Sequence, residues 1–214
     1  MSSYKLSEIV DTYQAEGLMS GWPVRLFRFS GCNFSCPFCD EYLSGPKHIL
    51  GVEELAAKLP KDSMAVMLTG GEPLLQLDAE LAKCLLRWVT GNSRRNIFIE
   101  TNGSVCNRID LISKCSHIVC SPKPEKSVTL PGHTINELKY VVPGTWGFDS
   151  LLENLTSFGK SFHLQEKVCI QPEWRDNGIK TSLQMALRCS QYIQKALGFM
   201  PRLSIQWHKF VNLP

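Results

Sequence analysis

The chain has no long apolar run: nothing in it approaches the roughly 20 consecutive apolar residues that cross a bilayer, so no membrane span is expected. Its opening, Met1-Ser2-Ser3-Tyr4-Lys5-Leu6, lacks the apolar core of a secretory signal. Blocks of like charge are also missing. The 23 basic and 20 acidic residues leave a net charge of +3, and Arg94-Arg95 is too short for a patch that grips a nucleic-acid backbone. Nucleic acid and membrane are therefore not expected partners, whereas a mild positive excess suits a small anionic substrate. There is no linker, low-complexity tract or internal repeat, so the 214 residues, 43% hydrophobic, read as one domain spanning 1–214. Without an export signal, the nine cysteines, an odd number, do not read as a disulfide framework. A reducing, cytoplasmic location is expected.

What the chain does have is a thiol-rich loop, Gly31-Cys32-Asn33-Phe34-Ser35-Cys36-Pro37-Phe38-Cys39-Asp40. Thiolates at this density select a soft metal or an iron–sulfur cluster. No fourth ligand stands close by; the nearest histidine downstream is His48. A structural zinc site wants four protein ligands. Three cysteines on a four-iron cluster instead leave one iron open to something that is not protein. The other readings are ordinary thiols, or zinc completed from elsewhere in the chain, which would make this a zinc-binding interaction module. Cys84, Cys106, Cys115, Cys120, Cys169 and Cys189 read as buried thiols.

The loop follows Val24 to Phe29, an alternating β-rich run, so a strand delivers it from its C-terminal end. Open α/β and barrel folds place their sites at that end. Tyr4 to Val10 reads as a short strand or an entry segment, and Asp11 to Gly17 as a loop. Further strands are expected at 65–68, 96–100, 116–120, 138–142, 162–170 and 203–206, and helices at 52–59, 77–89, 148–158 and 181–197. Asp78 is a candidate cap for the second helix. About seven strands and about four long helices are too few for a closed eight-fold barrel. The expected fold is α/β, a partial, open β/α barrel with a mainly parallel sheet.

Thr69-Gly70-Gly71-Glu72-Pro73 sits just past the buried run Ala65 to Leu68. Paired glycines let backbone amides approach a ligand and can pair with the amino and carboxylate groups of an amino-acid moiety. Together with the cysteine loop, this turn resembles the radical S-adenosylmethionine (SAM) enzymes. Within them the chain is similar, over nearly its whole length, to the 7-carboxy-7-deazaguanine synthase family of queuosine and deazapurine biosynthesis. Tyr13-Gln14-Ala15-Glu16-Gly17, Arg28 to Asn33, Thr69 to Asp78, Glu100-Thr101-Asn102-Gly103, Ser121-Pro122-Lys123, Glu137-Leu138-Lys139, Gln171-Pro172 and Gln206 to Lys209 carry the resemblance, in that order.

The resemblance implies a lyase with a [4Fe–4S] cluster on Cys32, Cys36 and Cys39 and SAM on its open iron. A 5′-deoxyadenosyl radical made there would take a hydrogen atom from 6-carboxy-5,6,7,8-tetrahydropterin, whose ring contracts to 7-carboxy-7-deazaguanine with loss of ammonia. SAM is regenerated. Phe38, Asp40, Gly70, Gly71, Glu72, Asn102, Ser121, Pro122, Lys123 and Gln171 would form the SAM pocket. Tyr13, Gln14, Ala15, Glu16, Arg28, Thr69, His208 and the carboxylate of Pro214 would hold the pterin. No protein side chain is implied as the hydrogen abstractor. Where the family carries Thr or Ser as a magnesium ligand, this chain has Glu41, a longer oxygen donor that still suits Mg2+. Trp207, and Ala15 in place of glycine, are further departures that can reshape the pocket for a related substrate. A homodimer and a flavodoxin- or ferredoxin-type reductant are also implied.

Overall fold

The computed structural model describes residues 2–37, 39, 45–62, 64–124, 126–143, 146–158, 164–174 and 179–213. Three strands open the chain: β1 (Ser3–Tyr13), β2 (Pro23–Phe29) and β3 (His48–Gly51). They are followed by α1 (Val52–Lys58), β4 (Ala65–Gly70), α2 (Ala79–Thr90), β5 (Ile97–Thr101), α3 (Ile109–Ile112), β6 (Ser116–Cys120) and β7 (Glu137–Val142). Then come α4 (Phe148–Ser157), α5 (Leu164–Lys167), β8 (Val168–Pro172), α6 (Lys180–Leu197), β9 (Arg202–Leu203) and α7 (Trp207–Val211). All nine strands form one sheet in the order β3-β1-β2-β4-β5-β6-β7-β8-β9. From β2 onward every neighbouring pair is parallel, and β1 pairs antiparallel with both β2 and β3. The sheet stays open, with β3 and β9 at its two edges. The expected partial β/α barrel is what the chain builds.

Strand alternation sorts the side chains between two faces. Phe27, Phe29, Leu68, Ile97, Ile99, Leu138 and Tyr140 join one large core with Leu81 and Leu85 of α2, Leu151 and Leu155 of α4 and Ile193 of α6. Each such buried side chain contributes roughly 1.5–3 kcal/mol. A smaller cluster on the alternate strand positions comprises Val24, Leu26, Ala65, Met67 and Phe98. Two residues further along the same strands the character changes: Leu26 gives way to Arg28, Met67 to Thr69, and Phe98 to Glu100. The N-terminal half of this face is thus plugged with apolar groups and the C-terminal half is polar.

Local signals fix the elements around the site. Asp78 caps α2 as expected, accepting from Leu81 N at 2.9 Å and from Tyr4 Oη at 2.8 Å. Cys84, Cys120, Cys169 and Cys189 are buried, whereas Cys106 is exposed. Among the described residues no helix is long and apolar enough to cross a membrane.

Several expectations need correction. β1 runs on to Tyr13, because Asp11, Thr12 and Tyr13 pair with Arg25, Val24 and Pro23 and an Asp11–Arg25 ion pair spans the two strands. β3 is a four-residue edge strand with little apolar signal. The strand expected over 162–170 begins only at Val168, which pairs with Leu138; Leu164–Lys167 is a helical turn of mostly long polar residues. The last strand ends at Leu203, since Ser204 turns inward and donates its hydroxyl to Gln171 Oε1 at 2.7 Å.

Candidate functional site

The C-terminal ends of the parallel strands open into a cavity of about 1380 Å³. This exceeds the roughly 300–1,000 Å³ of an ordinary small-molecule pocket and has room for two ligands. Cys32, Cys36 and Cys39 line it, together with Gly70, Gly71, Asn102, Ser121, Lys123 and Gln171. So do Tyr13, Gln14, Ala15, Glu16, Arg28, Thr69 and His208.

The cysteine loop and the double-glycine turn are tied together through their backbones. Gly71 N donates to Phe29 O at 2.8 Å, and Glu72 N donates to Gly31 O at 2.9 Å. A Cβ on Gly71 would fall onto the Gly31 carbonyl, and Gly70 sits at φ +108°, so both positions need glycine. Asn102 reaches across from the end of β5, its Nδ2 donating to Asn33 Oδ1 at 3.1 Å and lying 3.8 Å from Cys32 Sγ. Lys123 donates to the carbonyl and hydroxyl oxygens of Ser121 at 2.9 and 2.8 Å, and burial lowers its pKa.

Glu72 stands apart from the other members of the expected SAM pocket. Its side chain is fully buried and does not line the cavity. It accepts from Leu74 N at 3.0 Å, Thr101 Oγ1 at 2.8 Å and Asn102 N at 2.7 Å, and burial raises its pKa. This carboxylate clips the glycine turn to the end of β5. Pro122 is likewise buried and outside the lining. Phe38, Asp40, Glu41 and Pro214 lie outside the described residues. Tyr13 lines the cavity with 56% of its surface exposed.

A second constellation was not foreseen as a unit. Lys139 Nζ lies between two carboxylates, 2.5 Å from Glu16 Oε2 and 2.7 Å from Glu100 Oε1. Glu100 also accepts from Thr69 Oγ1 at 3.0 Å and Gln14 Nε2 at 3.3 Å. Glu16 accepts from Gln206 Nε2 at 2.9 Å, with His208 Nδ1 at 4.0 Å. Burial pushes the Glu16 carboxyl up, but the Lys139 ammonium outweighs it and holds the group well below the usual carboxylate range. Burial alone would lower the Lys139 pKa; the two carboxylates raise it instead. Glu100, Lys139 and Gln206 were absent from the expected site. A signal was present: Lys139 is a charge inside the strand Glu137–Val142, followed directly by Tyr140, Val141 and Val142. Arg28 lines the same cavity and pairs with Glu8 Oε2 at 2.9 Å.

The loop that carries Gln14 to Glu16 reaches the far side of the sheet. Gly17 N donates to Ser204 Oγ at 2.9 Å, Leu18 N to Glu137 Oε2 at 2.9 Å, and Trp207 N to Ala15 O at 3.2 Å. These bonds join the β1 end of the sheet to β7, β9 and α7 across the cavity mouth.

Residues 26–160 match the model of the radical SAM superfamily. A 7-carboxy-7-deazaguanine synthase from Methanospirillum hungatei is 34% identical over 223 residues, covering 100% of this chain and 87% of the relative. The chain belongs to the 7-carboxy-7-deazaguanine synthase family. Another member, from Bacteroides thetaiotaomicron, is 30% identical and covers 98% of each chain. The crystal structure of QueE from Escherichia coli superposes with a TM-score of 0.68 at 21% identity, covering 95% of this chain and 94% of that one, a likeness of fold.

As a radical SAM enzyme of deazapurine biosynthesis, the chain uses a [4Fe–4S] cluster and SAM, and its residues fit them. The three thiols open onto the cavity that also takes in the glycine turn.

Proposed function

We propose that this member of the family converts 6-carboxy-5,6,7,8-tetrahydropterin into 7-carboxy-7-deazaguanine, contracting the ring with loss of ammonia. One observation carries the reading: a single cavity is lined both by the three thiols and by the hydrogen-bonding group Gln14, Glu16, Thr69, Glu100 and Lys139. The cluster and SAM, when bound, supply the hydrogen-abstracting radical.

The chain's own residues bind and orient. Cys32, Cys36 and Cys39 hold the cluster. The amides of Gly70 and Gly71, with Asn102, Ser121, Lys123 and Gln171, receive SAM, and Phe38 and Asp40 flank it. Glu16 and Gln14 read the N–H edge of the pterin, since a carboxylate or amide oxygen matches an array of donors. Arg28 takes the substrate carboxylate through a bidentate fork, and Thr69, His208 and Pro214 complete the pocket.

In the same reading Glu41 is an oxygen ligand for Mg2+ near the substrate. The chain acts as one domain in the cytoplasm, as a homodimer, and takes its electron from a flavodoxin- or ferredoxin-type protein. Anaerobic incubation of cluster-loaded protein with the carboxytetrahydropterin, SAM and reductant tests the proposal. Equal amounts of 7-carboxy-7-deazaguanine and ammonia are expected; SAM cleavage with the pterin left unconsumed would overturn it. Running the assay with Mg2+ supplied and with a chelator decides the Glu41 role, for which equal rates would be fatal.

A further inference from the structure

We infer that Lys139 is a positioning residue for substrate recognition: its buried ammonium lets Glu16 and Glu100 face one cavity as paired carboxylates, set to receive the N–H edge of the pterin. The inference rests on the functional reading above and adds a residue and a charge mechanism to it.

Two carboxylates sharing a site disfavour each other's ionisation, and one of such a pair normally takes up a proton. A protonated member would present a donor where the substrate needs an acceptor. Here the two are 84 residues apart in sequence and are bridged by Lys139, at 2.5 and 2.7 Å. The Lys139 side chain is 5% exposed, against 13% for Glu16 and 20% for Glu100. The ammonium is thus the sheltered member of the triad and the carboxylates are the presented ones. Each also has a second anchor, Gln206 for Glu16 and Thr69 for Glu100. A carboxylate offers about four lone-pair sites, so both keep acceptor capacity for a ligand. A positive charge inside a buried strand is costly unless paired, and the carboxylates that pair with it line the cavity.

Other charges surround Lys139. Glu137 lies on its own strand, Cys169 on β8 and Lys123 beyond β6, all close enough to interact with it. Arg28, Glu173, His208 and Lys209 line the same cavity. These groups are common to wild type and variants, so the informative quantity is the variant's affinity relative to wild type at each pH.

The test is anaerobic calorimetry of 6-carboxytetrahydropterin binding to cluster- and SAM-loaded protein without reductant, from pH 6.5 to 9. Lys139→Met should bind about 10- to 100-fold more weakly at pH 7, the scale of one lost hydrogen bond to a charged group. Its affinity relative to wild type should climb with pH as the shared proton leaves the carboxylate pair. Lys139→Arg, which keeps the charge, should show no such climb. A Lys139→Met loss that is the same at every pH, or no loss, would overturn the inference in favour of simple packing. If Lys139→Met does not load iron, the double variant Lys139→Met/Glu16→Gln should, because only one carboxylate then remains; its failure would also contradict a charge role. A wild type that binds no pterin removes the functional reading and this inference with it, whereas a binding wild type beside a pH-independent Lys139→Met loss removes the inference alone.

Discussion

Removing the Glu72 carboxylate should destabilise the protein severely. Glu72→Ala strips acceptors from three buried donors: Leu74 N, Thr101 Oγ1 and Asn102 N. A buried donor left without a partner costs about 1–3 kcal/mol. The Thr101 hydroxyl can rotate toward another acceptor, but the two backbone N–H groups cannot, and the vacated side-chain volume adds a cavity cost. The sum is about 3–6 kcal/mol, a large share of the roughly 5–15 kcal/mol that holds a domain folded. For a chain of this size each kcal/mol moves Tm by about 2–4 °C, so a fall of about 6–24 °C is expected in anaerobic thermal unfolding. Glu72→Gln keeps one oxygen for Leu74 and Thr101 but turns an NH2 toward Asn102 N, so it should cost about 1–3 kcal/mol. Its penalty is eased because burial already disfavours the ionised acid. An alanine variant within 1 kcal/mol of wild type, or a glutamine variant as damaged as the alanine one, would refute the clip.

Other perturbations have equally definite outcomes. Gly71→Ala drives a methyl group onto the Gly31 carbonyl; it should cost more than the roughly 1–3 kcal/mol of ordinary overpacking and lower iron loading, measured by metal analysis after anaerobic reconstitution. Arg28→Ala should weaken pterin binding about tenfold or more with iron content unchanged; unaltered affinity would remove Arg28 from the carboxylate role. The folded-state pKa of Glu16 is depressed, so its contribution to stability is present above the ordinary glutamate pKa and lost as pH falls below it toward the folded value. Chemical denaturation of cluster-free protein between about pH 5 and 2 should therefore show a decline that is shallower in Glu16→Gln; parallel declines would contradict the assigned shift.

Much of this was legible in the residues because the signals were local. Ala65–Gly70, Ile97–Thr101 and Ser116–Cys120 are short apolar runs, and strands buried on both faces read that way. Asp78 announces its helix three residues before the amide it caps. The cysteine spacing and the glycine turn state their chemistry within a few positions. What stayed hidden depends on register and distance. The polar end of β1 is a strand only because β2 pairs with it, and β3 only because β1 does. The role of Glu72 as a clip follows from three bonds, two of them to residues about thirty positions away. The Glu16–Lys139–Glu100 triad requires β5 and β7 to bring their interior faces under the loop after β1, which no window of sequence contains.

The central claim is that Cys32, Cys36 and Cys39 carry a four-iron cluster with one iron left open for SAM. Iron and sulfide analysis of anaerobically reconstituted protein, joined to electron paramagnetic resonance of the reduced state with and without SAM, tests it most directly. About four irons per chain, and a spectrum that changes when SAM is added, are predicted. One equivalent of zinc without iron, or a cluster spectrum indifferent to SAM, would contradict it.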